Sequence, residues 1–490
     1  MLWLLILLPA TAGVLSYAIH SNLRRRALWL CVSLVHPALS FYLGFMRETP
    51  LVEGAWIGLD ALSRLFLPLT GILFAASTLY AITAFGPAKA SDAPSEAPKD
   101  TLLKTSPEAV FTGCMLLFSA GMSCVILSRR FGLQWVSMEA TTLASTPLIY
   151  YHRNRRSLEA AWKYILLCSV GIATALLGVF SLALAAAGAT SSPAVDDLVR
   201  VAGKLDPNWL KLAFVFILVG YGSKMGMAPL HTWLPDAHSE APSPVSALLS
   251  GALLNCAFLS ILRMQQVMSA AGAGEFGQEL LVFFGLLSMG TAAVFVIRQP
   301  DYKRMLAYSS VEHMGIITLG AGLAGAGLFG SLLHALNHSL VKAMLFMTAG
   351  NILALYGTKK TAEVRGIVKI MPVTAVLWLG GFLAITGTPP FGTFISEMTI
   401  LKTALEQGRW GVAVLFLLLL TLVFVGMAAS FLQMSLGPKS ERARMKKTGI
   451  GTPVPAILFG AAALVLGVYI PVDLHRLLES AAAIVLGGVR

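Results

Sequence analysis

The sequence predicts an all-α polytopic membrane protein of about fourteen transmembrane helices, with an inverted repeat of five helices and a broken helix in each copy. Three observations carry that prediction: a membrane-like composition, apolar runs of spanning length along nearly the whole chain, and paired interruptions of those runs by Gly and Pro. Of the 490 residues, 56% are apolar and 12% charged, against about 25% charged in a soluble domain. Mean hydropathy is +0.75. A soluble fold is excluded, and little length remains for soluble domains.

Crossing a hydrocarbon core of roughly 30 Å takes about 20 mostly apolar residues, and only helices supply so many spans of that length. Spans are expected at 1–20, 27–45, 62–85, 107–128, 131–151, 160–188, 208–231, 242–268, 276–298, 303–325, 327–357, 370–404, 411–436 and 453–471. Residues 1–20 lack a basic stretch before the apolar run and are followed by Arg24, Arg25 and Arg26, so they read as a retained first helix, not a cleaved signal. The Pro-, Ala- and Ser-rich segment 86–100 reads as a flexible cytoplasmic loop. The tail 472–490 could be a short interfacial helix.

The net charge of +12 does not point to nucleic acid, because the basic residues are not gathered into one groove-binding surface. They follow the odd-numbered spans: Arg153, Arg155 and Arg156 after the fifth, Arg298, Lys303 and Arg304 after the ninth, Lys359, Lys360, Arg365 and Lys369 after the eleventh, and Lys439, Arg442, Arg444, Lys446 and Lys447 after the thirteenth. The positive-inside rule then puts those loops in the cytoplasm and the N-terminus outside. The five cysteines, Cys31, Cys114, Cys124, Cys168 and Cys256, show no CxxC spacing, so neither an iron–sulfur nor a zinc site is expected from them. No cofactor or redox centre is visible in the chain.

An internal repeat emerges from the ionisable residues. Lys163 stands eight residues before Gly171 in span 6, and Lys342 eight residues before Gly350 in span 11. Spans 7 and 12 are each interrupted, one by KMGMAP around Lys224 and Pro229, the other by GTPPFG at 387–392 ahead of Glu397. An offset of five spans is odd, so the copies must lie in opposite orientations in the bilayer. A helix broken at membrane depth frees backbone groups that must face protein or water, so both breaks should line a cavity.

A charge at the bilayer centre costs about 2.5–3.5 kcal/mol on insertion scales and is rarely decorative. Here Glu139, Lys163, Lys224, Glu312, His313, His334, His338, Lys342 and Glu397 all fall inside expected spans. Glu139 and Lys224 have the residue types of a switchable pair, since a neighbouring carboxylate restores the proton affinity that desolvation takes from a lysine; a fixed ion pair locking two helices is the alternative. His334, His338 and Lys342 fall at i, i+4 and i+8, one helical stripe suited to proton passage. The same stripe could be purely structural. Two histidines four apart could also hold a metal, but no nearby Cys or Asp completes a ligand set, so no metal site is expected. Glu312 beside His313 is a weaker pairing, because adjacent helical residues point in different directions. The loop HTWLPDAHSEAPSP at 231–244 carries His231, Asp236, His238 and Glu240, either as a proton-uptake mouth or as a structured cap.

The runs KMGMAPLHTWLPDAHSEAPSPVSALLSG (224–251), DYKRMLAYSSVEHMG (301–315) and NHSLVKAMLFMTAGNI (337–352) resemble the antiporter-like subunits of respiratory complex I and of energy-converting hydrogenases. VSMEATTL with SLEAAWKYILLCSVGIATALLG (157–178) looks most like component F of the hydrogenase-4 and formate hydrogenlyase type. The resemblance implies an N-terminal region 1–106 of three spans and a loop, one five-helix repeat over 107–268, a second over 276–436, and a last span with its tail over 453–490. It also implies that Glu139, Lys224, Lys342 and Glu397 take the family's ionisable positions on spans 5, 7, 11 and 12, with His334 and His338 on the axis joining them. Where complex I relatives commonly carry a lysine on span 8, this chain has Asn255, whose amide cannot hold a proton near neutral pH.

The expected function is proton translocation across the cytoplasmic (inner) membrane, within a hetero-oligomeric redox complex whose other membrane and peripheral subunits hold the redox chemistry. A sodium/proton antiporter subunit of the multisubunit type and a non-conducting structural membrane subunit are the alternatives.

Overall fold

A computed structural model describes residues 1–46, 55–85, 107–438 and 450–487. The expected loop 86–100 and the basic residues Lys439 to Lys447 lie outside the described residues. Among the described residues every regular element is helical: α1 (Leu4–Ala18), α2 (Asn22–Phe41), α3 (Ala61–Phe85), α4 (Pro107–Leu127), α5 (Phe131–Ile149), α6 (Arg155–Ala185), α7 (Val195–Arg200), α8 (Pro207–Met225), α9 (Trp233–Glu240), α10 (Ser243–Leu248), α11 (Leu254–Ala270), α12 (Gly274–Val296), α13 (Tyr302–Leu323), α14 (Gly325–Tyr356), α15 (Ile367–Ile370), α16 (Pro372–Ile385), α17 (Gly392–Glu406), α18 (Trp410–Ser435), α19 (Val454–Val468) and α20 (Val472–Val485).

Eight helices among the described residues are long and apolar enough to cross a membrane, or up to nine if the bent pair α19 and α20 forms one span. Others on which spans are expected are shorter, as α1 and α16 are, or carry internal charge, as α13 does at Lys303, Arg304 and Glu312. A helix enclosed by other helices, or broken beside a cavity, needs neither full length nor unbroken apolarity.

Starts and stops follow local chemistry. Asn154 closes a capping box with Ser157 at the head of α6, Asp206 caps α8 ahead of Pro207, and Asp301 caps α13, each satisfying amides that the first turn leaves unpaired. Both Gly- and Pro-marked interruptions are breaks. The chain leaves α8 through Gly226 at φ 82°, a left-handed conformation that glycine adopts without steric cost, and residues 386–391 separate α16 from α17.

Three spans form the centre, one of them built by α10 and α11 together. Every residue is buried from 243 to 268 across α10 and α11, from 305 to 323 on α13, and from 331 to 349 on α14. Helices closed in on all sides are where polar side chains must find partners within the protein. Around this core α6 lies against α8 and α12 against α13, both contacts made through glycines: a Cβ on Gly220 would stand 2.5 Å from the Ala175 nitrogen, and one on Gly285 2.7 Å from the Leu319 nitrogen. The tail is helical where it is described, and α20 turns 79° from α19 to rest on α3, α11 and α14.

Candidate functional site

The first polar group lies where α5, α6 and α8 meet. Lys224, in the last turn of α8 and fully buried, donates from Nζ to Thr142 Oγ1 at 2.8 Å and to Tyr164 OH at 2.7 Å. Its ammonium also sits 4.5 Å from the Tyr164 ring centre, and the helix C-terminus favours its positive charge. Tyr164 OH shares a 2.7 Å hydrogen bond with Ser145 Oγ. Thr142 in turn donates to Glu139 Oε2 at 3.3 Å, while Ser169 donates to Glu139 Oε1 at 2.8 Å. Glu139, which is only partly buried and not enclosed as Lys224 is, neighbours Lys224 through the Thr142 hydroxyl and not by direct contact.

The second group is built by α13, α14 and α17. Lys342 donates from Nζ to Leu306 O at 2.7 Å and to Ser309 Oγ at 2.9 Å. Glu312, one turn on from Ser309 and buried, is within electrostatic range of Lys342 and Glu397. His313 Nδ1 and His334 Nε2 share a 2.7 Å hydrogen bond, and His334 Nδ1 meets Ser396 Oγ at 2.8 Å. The His338 ring centre is 5.1 Å from that of His313. Glu397, beside Ser396 on α17, is buried and reaches back to the break, where its carboxyl lies against Gly387. The stripe His334, His338 and Lys342 is thus buried along its length, and His313 and Glu312, adjacent in sequence, serve different partners.

Between the groups stands Asn255 on α11, which donates from Nδ2 to Gly251 O at 3.0 Å and to Ser339 Oγ at 2.7 Å. Several buried polar atoms here have no hydrogen-bond partner among the described residues, Asn255 Oδ1, both ring nitrogens of His238 and Glu397 Oε1 among them. Buried polar groups of this kind are ordinarily satisfied by internal water.

Two expectations need correction. Lys163 is not a buried charge: its side chain is 46% exposed and pairs with Glu159 at 2.6 Å and Asp236 at 3.0 Å, because an early position on α6 leaves a long side chain free to reach the polar rim. The segment 231–244 is not a loop, since residues 233–240 form α9. It also divides its polar residues between two environments. Asp236 pairs with Lys163 and Arg304, and Glu240 with Lys359 at 2.8 Å, all on the rim. His231 and His238 turn inward, the latter stacking on Phe346 at 5.0 Å.

Sequence reasoning missed the hydroxyls of Thr142, Tyr164, Ser309 and Ser396, which carry no signal in an apolar run. It also missed a buried ion network between the start of α3, the end of α4 and the middle of α11. Arg129 pairs with Asp60 and, through two nitrogens, with Asp196 at 2.6 and 3.2 Å. Arg263 lies 3.7 Å from Asp60 and donates to Ser63 Oγ at 3.0 Å and Ile126 O at 2.8 Å. Burial pushes the Asp60 carboxyl up, but Arg263, Arg129 and the bonds from Ser63 more than offset it and hold it below the usual carboxylate range. An arginine inside the apolar span 242–268 was the available signal.

An all-helical membrane chain with ionisable side chains buried on interrupted helices has the architecture of the antiporter-like membrane subunits. The chain belongs to the NADH:quinone oxidoreductase/Mrp antiporter transmembrane family, whose profile it matches over residues 129–424. It is 39% identical to the hydrogenase-4 component F homolog of Methylacidiphilum infernorum over 73% of this chain and 75% of that one. Its fold superposes on a chain of the membrane-bound sulfane sulfur reductase, an archaeal respiratory membrane complex, with TM-score 0.85 at 23% identity, covering 99% and 97% of the two chains. A chain of respiratory complex I from Thermus thermophilus gives TM-score 0.81 at 25% identity, covering both chains completely.

Proposed function

We propose that this chain carries protons across the cytoplasmic membrane as the antiporter-like subunit of a redox-driven complex of the hydrogenase type, with fourteen spans, two inverted five-helix repeats and the N-terminus outside. The observation that carries the reading is the environment of the two central lysines. A lysine kept for stability inside a membrane would face a carboxylate in a fixed pair. Lys224 and Lys342 instead donate to hydroxyls and a carbonyl. A hydroxyl can rotate to donate to a neutral amine, so either protonation state keeps hydrogen-bond partners.

The route runs from Glu139 through Thr142 to Lys224, across Asn255 and Ser339 to His338 and Lys342, then through His313 and His334 to Glu397. Asn255 cannot itself hold a proton, so the centre is crossed through internal water beside its unpartnered Oδ1. Histidine nitrogens are poor partners for sodium, a hard cation that prefers oxygen, which favours protons over the sodium reading. Moving one charge against 100 mV costs about 2.3 kcal/mol, so partner subunits must supply the driving force. In the assembled complex, Lys224→Ala is expected to abolish proton pumping while electron transfer persists uncoupled or slowed. Unchanged pumping with intact assembly would remove Lys224 from the route.

A further inference from the structure

The stripe His334 and His338 lacked a third metal ligand in sequence, but the fold supplies a different set. His313 from α13, His334 from α14 and Glu397 from α17 each offer one donor atom, and these atoms lie within 4.8 Å of one another. All three side chains are more than nine-tenths buried, and among the described residues Glu397 Oε1 has no hydrogen-bond partner. Two imidazoles and a carboxylate form the His2Glu set that zinc accepts, with an open fourth position.

The hydrogen bonds also prepare the ligands. Ser396 Oγ has Thr393 O at 2.8 Å and Gly392 O at 3.3 Å to take its proton, which leaves it able to accept from His334 Nδ1 at 2.8 Å. In that tautomer the neutral imidazole carries its lone pair on Nε2, facing His313. A ligating histidine whose other nitrogen donates to a neighbour is the usual arrangement around bound metals. A cavity of about 250 Å³, lined by Thr386, Gly387, Glu397 and Thr421 with apolar neighbours from α17 and α18, reaches the carboxylate and has room for a water as fourth ligand.

We propose that His313, His334 and Glu397 bind a divalent transition-metal ion of the zinc class. The ion takes the place of the proton shared by the two imidazoles: it bonds His334 Nε2, His313 Nδ1 and a Glu397 oxygen, and the His313 proton moves to Nε2. Metal–nitrogen bonds of about 2.0–2.1 Å require the two nitrogens, now 2.7 Å apart, to open by roughly half an ångström. Binding stands independently of the proton route; blockage of transport by the bound ion rests on it.

The test is equilibrium binding of radiolabelled zinc to the full chain in nanodiscs, with melting temperature as the control for folding. The wild type is expected to bind about one ion per chain beyond any surface sites, and His475→Gln, which removes an exposed imidazole on α20, to leave that binding intact. Glu397→Gln and His334→Gln should each weaken it at least tenfold, and Ser396→Ala about tenfold through loss of the orienting bond. No zinc held by the wild type, or equal binding by folded Glu397→Gln and His334→Gln variants, would overturn the site. Binding that leaves pumping by the assembled complex uninhibited upholds the site and removes the proton route from it.

Discussion

At the scale of single residues, hydroxyl groups stand against the charged side chains. Thr142 stands between Glu139 and Lys224, and its hydroxyl can rotate to reverse its donor. Thr142→Val keeps the shape of the side chain and removes that bridge. Proton pumping by the assembled complex is expected to fall by about tenfold or more, a barrier increase of about 1.4 kcal/mol, whereas Thr142→Ser should retain most of it. Equal rates for the two variants would show that Glu139 acts on Lys224 by some other path. The charged partners themselves were legible, because an ionisable residue in an apolar run is conspicuous. Thr142 and Tyr164 were not, because a hydroxyl in a span is common and only the packing of three helices shows which one lies between two charges.

At the scale of elements, close helix contacts and the Asp60 network hold the site in register. Gly220 lets α8 approach α6 so nearly that a Cβ would press on the Ala175 backbone, and Lys224 follows one turn later. Gly220→Val should cost about 1–3 kcal/mol through overpacking and displace Lys224 from Tyr164, seen as a lower melting temperature together with impaired pumping. Arg129 and Arg263 join the loop before α5 and the C-terminal half of α11 to the start of α3. Arg129→Leu leaves Asp60 with one distant cation, and breaking a buried pair in this way costs about 3–5 kcal/mol, measurable by thermal unfolding in detergent. The pH dependence has a definite sign. A carboxyl held low in the folded state contributes stability above about pH 4, its usual value, and loses it only as pH falls through the depressed value. The stability gap between the protein and its Asp60→Asn variant should therefore stay constant from about pH 7 to pH 5 and narrow only in stronger acid.

At the scale of the whole molecule, polar residues are concentrated where helices are enclosed on every side, and apolar ones cover the outside. On α18 the outward face carries Val414, Leu418 and Val425, whereas α11, α13 and α14 bring Asn255, Glu312, His313, His334, His338 and Lys342 into the interior. The C-terminal helix closes one end of this core. Its buried face, Leu478, Ala481, Ala482 and Val485, packs over helices that carry or support the site. Deleting residues 472–490 should still allow insertion of the remaining spans but lower the melting temperature by several degrees. An unchanged melting curve would reduce α20 to an appendage.

The sequence by itself determined that the chain is an all-helical membrane protein, where two of its helices break, and that ionisable residues stand inside its apolar runs. Those properties are written in composition and in spacing along one strand of covalent chain, and hydrocarbon punishes every departure from them. Only the tertiary structure decided that Lys163 belongs to the rim, that His231 and His238 face inward while Asp236 and Glu240 do not, and that His313 joins His334 and Glu397. The reason is geometric. Residues on separate helices meet according to the rotation and depth of each helix, and those are set by packing between surfaces that no single span contains.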